Sequence, residues 1–267
     1  MNLNVAISPC PNDTYIFGAI ALGYIDTRIY RFSFEYADIE DLNQAASLDK
    51  YDLLKMSYYH NFAADPDYNA LPCGGAIGYD CGPLLITANP KNYGDCLAPR
   101  VLVPGAQTTA NFLLHFYNPE IKNVSVRRFN EIEESLLQQE AEAGVIIHEN
   151  RFTYQDKGLF LIEDLGKYWQ EKTHSPIPLG CIGLASKFSW HDQEKITELI
   201  KQSLEYADRY PEKIWEYIRS HAVSMNDEVI KSHIALYVND FSHNIGYQGR
   251  AAIDRMESEI NLLQNRP

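Results

Sequence analysis

"GPLLITANPKNYGDCLAPRVLVPG", Gly82 to Gly105, sets two short apolar runs on either side of a break. Leu84–Ile86 and Val101–Val103 are too short for helices and rich enough in branched residues for buried strands. Between them, "NPKNYGDCLAP" (89–99) carries two prolines, a glycine and two asparagines, a composition suited to a chain crossing from one unit to another. A second loop-rich zone, 166–178, precedes the strand-like "LGCIGLAS" (179–186). Two crossings, near 90–100 and 170–180, enclose the segment between them as a small α/β unit. The expected division is therefore lobe 1 from 1–92 and 178–267, with both termini, and lobe 2 from 93–177. Two lobes joined in this way form a ligand cleft with a hinge.

The flanking sequence supports alternating strands and helices, the pattern of parallel α/β units. "LNVAIS" (3–8) alternates with period two. "DTYIFGAIALGYI" (13–25) reads as a nearly all-apolar helix, "YDLLKMS" (51–57) as a strand, and "TTANFLLHFY" (108–117) as a helix. "EIEESLLQQEAEA" (131–143) predicts an amphipathic helix leading into the strand that opens "GVIIHENRFTY" (144–154). From Asp192 onward the pattern is helical, with Ile196, Leu199, Ile200, Leu204 and Ala207 on one face and Ile253, Met256, Ile260 and Leu263 repeating the theme.

Composition narrows the function classes. The 267-residue chain has a net charge of −13 with no clustered basic face, which argues against nucleic acid. No apolar run approaches a membrane span. "MNLNVAIS" reads directly as a first strand and not as an export signal. Five cysteines (Cys10, Cys73, Cys81, Cys96, Cys181) form no CxxC pair, the usage of reduced thiols in a cytoplasmic protein.

Ligands of open parallel sheets gather beyond the carboxyl ends of strands, and four stretches put polar groups there. In "SPCPNDTYIF" (8–17), Asn12 or Asp13 can cap the next helix, whose free N–H groups can receive a carboxylate; a rigid capped turn is the plainer reading. In "VPGAQTTANF" (103–112), one of Thr108 and Thr109 serves as an ordinary cap and the other stays available. "CGGAIGYDCGPL" (73–84) precedes a strand and lacks both a dinucleotide fingerprint and a Walker lysine; its glycines, Gly75 among them, suit a turn or a close approach to a ligand. In the fourth stretch His148 stands at a strand end, where it is either structural or a general base. Zinc is not expected, because Phe152 sits where an HExxH motif needs its second histidine. His115, His221 and His233 fall in helical patterns and read as structural, and Cys10 reads as a buried thiol. The serines form no GxSxG elbow.

Taken together, "SPCPNDTYIF", "KMSYY", "GGAIGYDCGPL", "PGAQTTANFLL", "AGVIIHENRFTY" and "YVNDFSHNIGYQG" resemble the 1,4-dihydroxy-6-naphthoate synthase family of the futalosine route to menaquinone. The matches run in order from Ser8 to Gly249. The resemblance implies a two-lobed type II periplasmic-binding-protein-like α/β fold with a two-stranded hinge, here with a C-terminal helical segment. It implies a lyase that converts cyclic dehypoxanthinylfutalosine to 1,4-dihydroxy-6-naphthoate and releases a three-carbon fragment, with no cofactor. The family's proposed base maps onto His148. Ser57, Thr108 and Thr109 map onto substrate contacts, the threonines near a carboxylate, with Asn12, Asp13 and Gly75 completing the expected ligand shell. Asn150, Cys73 and Tyr15 depart from the family pattern without removing a group that the chemistry needs. Competing readings are a non-catalytic binding protein of the same fold, the sister chorismate dehydratase, and a ligand sensor. Sequence assigns no role to Glu149, Arg151 or His60, and no oligomeric state.

Overall fold

The structure is a computed structural model that describes residues 1–264 apart from Met225. Eleven strands are described: β1 Asn2–Ile7, β2 Arg31–Tyr36, β3 Leu53–Ser57, β4 Tyr68–Ala70, β5 Ala76–Gly78, β6 Leu84–Thr87, β7 Val101–Val103, β8 Val124–Val126, β9 Ala143–Ile146, β10 Phe160–Asp164 and β11 Ile177–Ala185. They form two sheets. The first runs β2-β1-β3-β11-β4, with β5 also paired to β11, and the second runs β10-β6-β9-β7-β8.

Where βα units repeat, the strands are parallel, as the alternation predicts: β1 pairs in parallel with β2 and β3, and β7 with β8 and β9. Where the chain passes between sheets the direction reverses. β11 is antiparallel to β3, with Gly180 opposite Ser57, and β6 is antiparallel to β9. Both sheets are therefore mixed and not purely parallel.

The first crossing differs from the expected one. "NPKNYGDCLAP" is not a passage between sheets. It contains a short helix, Pro90–Asp95, capped by Asn89, that joins two strands of the second sheet. The passage lies earlier, between β5 and β6, so Leu84–Thr87 belongs to the second sheet although it falls within 1–92. The zone 166–178 is largely helical, spanning Leu165–Thr173. Asp164 caps that helix by accepting from the N–H groups of Gly166 and Lys167, and Trp169 is fully buried beneath it. A cap followed by a single large apolar anchor makes a helix whose periodicity is too short to stand out. The predicted helix over 131–143 is likewise shorter, Ile132–Leu137.

The two passages press together. A Cβ on Gly82 would lie 2.2 Å from the Gly166 Cα, and one on Gly166 2.5 Å from the Gly82 Cα, so only glycine fits at either position. Arg151 spans the junction: Nη1 donates to the Gly82 carbonyl at 2.6 Å and Nη2 to Asp164 at 3.4 Å. One buried cluster continues through both sheets, from Leu54 and Met56 through Val101, Val103 and Phe112 to Trp169 and Ile177. Met256 and Ile260 of the last helix, Gly246–Gln264, belong to it.

Candidate active site

A cavity is lined from both sheets: by Asn12, Asp13, Lys55 and Ser57 on one side, and by Thr108, Thr109 and His148 on the other. A concave site with a few convergent polar groups suits a small organic ligand. Of the residues singled out from sequence, these six besides Lys55 share one cavity. Gly75 does not line it; its carbonyl accepts from Ser242 and it packs behind the wall, against the Gly180 carbonyl, while Ala76 faces the cavity. His60 is buried elsewhere, with Nε2 3.4 Å from the Ser47 hydroxyl.

The helix Pro11–Ala21 begins at Cys10, not at Asn12 or Asp13, with Pro11 supplying a fixed φ in its first turn. Asn12 and Asp13 are thus inside the first turn and buried in a polar network. Asp13 Oδ1 accepts from Lys55 Nζ at 2.7 Å and Asn12 Nδ2 at 2.8 Å, and Oδ2 accepts from the Ser8 hydroxyl at 2.8 Å. Lys55 projects from β3, all of whose residues are buried. A lysine inside an apolar run was the available sequence signal for it. Ser57 ends the same strand and is fixed by Asn43, whose amide donates to the Ser57 hydroxyl and whose carbonyl accepts from the Ser57 N–H.

Across the cavity, Thr108 caps the helix Thr109–Tyr117 by accepting from the Asn111 N–H, and donates to the Gly105 carbonyl. Thr109 is no longer a spare hydroxyl: it donates to the Leu179 carbonyl at 2.8 Å. The first-turn N–H groups of Thr109 and Ala110 have no intrahelical partner by construction, so this helix start offers backbone donors to an anion.

His148 opens the 3₁₀ turn His148–Phe152 directly after β9, with φ of 58°. A histidine in the left-handed region is uncommon and clusters at functional positions. Its Nδ1 lies 3.4 Å from Cys10 Sγ, and its ring meets Phe129 edge-on at 5.0 Å. Burial lowers its pKa to about 4; Asp13 opposes that shift and Lys55 adds to it. His148 is therefore neutral, and able to accept a proton, at neutral pH.

His233, fully buried on the helix Asp227–Tyr237, also lines the cavity, and sequence gave no sign of it because helical spacing alone accounts for such a histidine. Cys10, His148 and Glu149 bring donor atoms within 4.8 Å of one another. Burial pushes the Cys10 thiol well above its usual range and keeps it protonated beside the His148 ring.

A model of the menaquinone-biosynthesis family matches residues 3–260. A 1,4-dihydroxy-6-naphtoate synthase of Thermus thermophilus is 39% identical over 257 residues, covering 96% of this chain and 93% of that protein. A synthase of the same name from Streptomyces coelicolor is 35% identical over 256 residues, covering 94% and 90%. Among solved structures, the periplasmic aliphatic sulphonate binding protein SsuA of Escherichia coli superposes with a TM-score of 0.65 at 11% identity, covering 98% of this chain and 87% of that one. That likeness places the fold with the periplasmic-binding-protein-like α/β proteins.

Proposed function

This chain belongs to the 1,4-dihydroxy-6-naphthoate synthase family of menaquinone biosynthesis, and on that premise we propose that it is the lyase that converts cyclic dehypoxanthinylfutalosine to 1,4-dihydroxy-6-naphthoate with release of a three-carbon fragment. The observation that carries this reading is a neutral imidazole, His148, facing a cavity whose other polar groups come from both sheets.

In the proposed mechanism the substrate carboxylate lies at the start of the helix Thr109–Tyr117, held by backbone N–H groups that Thr108 and Thr109 orient. Ser57 and Asn12 contact the rest of the ligand, and the Lys55 ammonium, balanced by Asp13, stabilises negative charge that develops on it. The reading assigns the His148 hydrogen to Nδ1, with Cys10 Sγ as its weak acceptor, which leaves the Nε2 lone pair for the substrate. Proton removal by Nε2 starts carbon–carbon cleavage, and aromatisation of the naphthalene ring makes the outcome favourable. The passages at Gly82 and Gly166 act as a two-stranded hinge, and closure of the lobes excludes water. Five free cysteines, four of them buried, suit a reducing cytoplasm. No helix among the described residues is long and apolar enough to cross a membrane.

The decisive experiment incubates the purified protein with cyclic dehypoxanthinylfutalosine and follows dihydroxynaphthoate. Product is expected; none from folded protein sinks the lyase reading, and tight retention of unconverted substrate favours the binding-protein alternative. His148→Asn tests the base. Asparagine tolerates the left-handed backbone, so the variant is expected to fold and bind while losing about 100-fold or more in kcat. Turnover at the wild-type rate would remove His148 from the role.

A further inference from the structure

Behind His148 lie two buried groups that the mechanism above leaves unused. Glu149 is 4% exposed, yet among the described residues neither carboxyl oxygen has a hydrogen-bond partner. His233 is 0% exposed, and its Nδ1 has no partner either. Its Nε2 lies 2.9 Å from Asn12 Oδ1. Asn12 uses its own amide N–H on Asp13, so Oδ1 is the acceptor in that contact and the His233 hydrogen sits on Nε2. Nδ1 of His233 therefore presents a lone pair, 4.0 Å from Glu149 Oε2. An ionised carboxylate and an imine nitrogen facing each other are two acceptors with no donor, an arrangement that a dry interior does not tolerate. A single proton between them removes the conflict.

We propose that Glu149 and His233 share one proton and act as positioning residues that offset the charge arising on His148 during turnover. The inference rests on His148 being the base. At rest the proton belongs to Glu149, which donates it to His233 Nδ1 once the two approach by about 1 Å, to ordinary hydrogen-bond length. When His148 takes a proton from substrate carbon, a cation forms within 4.8 Å of the Glu149 carboxyl. The shared proton then moves to His233. A carboxylate now adjoins the His148 imidazolium and compensates the second positive charge, on the His233 ring whose centroid lies 6.2 Å from that of His148. There, Asn12 links His233 to the Asp13 carboxylate. No proton enters or leaves the pair, and the shift reverses when His148 releases its own.

Other charged and titratable groups surround this assembly. Asp13, from the helix Pro11–Ala21, and Lys55, from β3, act on His148, and both His148 and Lys55 act on His233. Cys10 approaches from the start of its helix, with Asp13 and Asp38 acting on it. Tyr237 packs on His233 with ring centroids 4.5 Å apart and is itself touched by Arg151. Phe129 covers His148 with an apolar edge.

The test uses Glu149→Gln, which keeps the shape without the acid, and His233→Gln, which still donates to Asn12 but offers no Nδ1. Each variant is expected to lose about 10- to 100-fold in kcat with KM changed less than about 2-fold, the size of a lost partner behind a functional side chain. The double variant should be no slower than the slower single, since the two act as one unit. Folded single variants with kcat within 2-fold of wild type overturn the proposal, as do losses that multiply in the double variant. A measurement on the unaltered protein stands independently of how the variants fold: infrared and histidine nitrogen-15 NMR spectra at neutral pH. A protonated Glu149 beside a singly protonated His233 supports the pair; an ionised Glu149, or a doubly protonated His233, refutes it. These outcomes are separable from the base assignment, which stands or falls on wild-type turnover and on His148→Asn.

Discussion

Replacing Asp13 with asparagine tests whether the cavity floor depends on a buried ion pair. Asp13 is 0% exposed and the Lys55 side chain 6%. Both carboxylate oxygens are acceptors: Oδ1 for Lys55 and Asn12, Oδ2 for the Ser8 hydroxyl and N–H. Asparagine has one such oxygen, so its amide must face a donor on one side, and Lys55 is left as a buried cation without a counter-charge. Losing one partner of a buried pair costs about 3–5 kcal/mol. With an unfolding entropy of about 2.1 cal/mol/K per residue over the 267-residue chain, that is a drop of roughly 5–9 °C in Tm. Scanning calorimetry at pH 7 reads it directly. The double variant Asp13→Asn/Lys55→Met removes both charges and is expected to recover most of the loss, because an apolar replacement of a buried pair is close to neutral. A single variant melting within 1 °C of wild type, or a double variant no more stable than the single, refutes the reasoning.

Four further outcomes follow from the same geometry. Because burial lowers His148 to about 4 and moves His233 well below 6.5, both are neutral in the folded state while the unfolded chain still binds their protons. Their contribution to stability is thus complete above about pH 6.5 and is lost as pH falls toward 4; a urea midpoint unchanged between pH 7 and pH 4.5 contradicts this. For the same reason kcat/KM is expected to rise with an apparent pKa near 4 and to stay level through neutrality, and a limb near 6.5 in the pH–rate profile disproves the buried environment. Gly82→Ala drives a methyl group into the Gly166 backbone and is expected to destabilise by at least about 1–3 kcal/mol, which denaturant titration measures; wild-type stability would show that the passages do not touch. Trp169→Ala removes a fully buried side chain and its hydrogen bond to the Pro176 carbonyl, a loss of about 3–5 kcal/mol in the same titration.

Much of the fold was readable along the chain. Period-two alternation located β1, the apolar run 53–57 located β3, and heptad-like spacing located the long C-terminal helices, because each is a local pattern read against a single buried face. The first passage between sheets was misplaced for a local reason too. Pro, Gly and Asn mark a turn without saying where it leads, and "NPKNYGDCLAP" turns back into its own sheet. The true passage is the short segment 79–83 between β5 and β6, and its signal, the mutual approach of Gly82 and Gly166, is a contact between residues far apart in sequence.

The candidate site divides along the same line. Sequence by itself determined that His148 closes a buried strand, that Ser57 ends another and that two threonines start a helix, and through the resemblance it determined the chemistry to expect. Only the tertiary structure decided what those residues face. It brought Cys10 to the His148 ring, committed the Thr109 hydroxyl to Leu179, set Lys55 against Asp13 and carried His233 from a distant helix to the cavity wall. Periodicity reports which residues are buried, since burial follows from one element's own face. It cannot report which polar groups meet there, because hydrogen bonds and proton sharing depend on distances that exist only once the elements are packed.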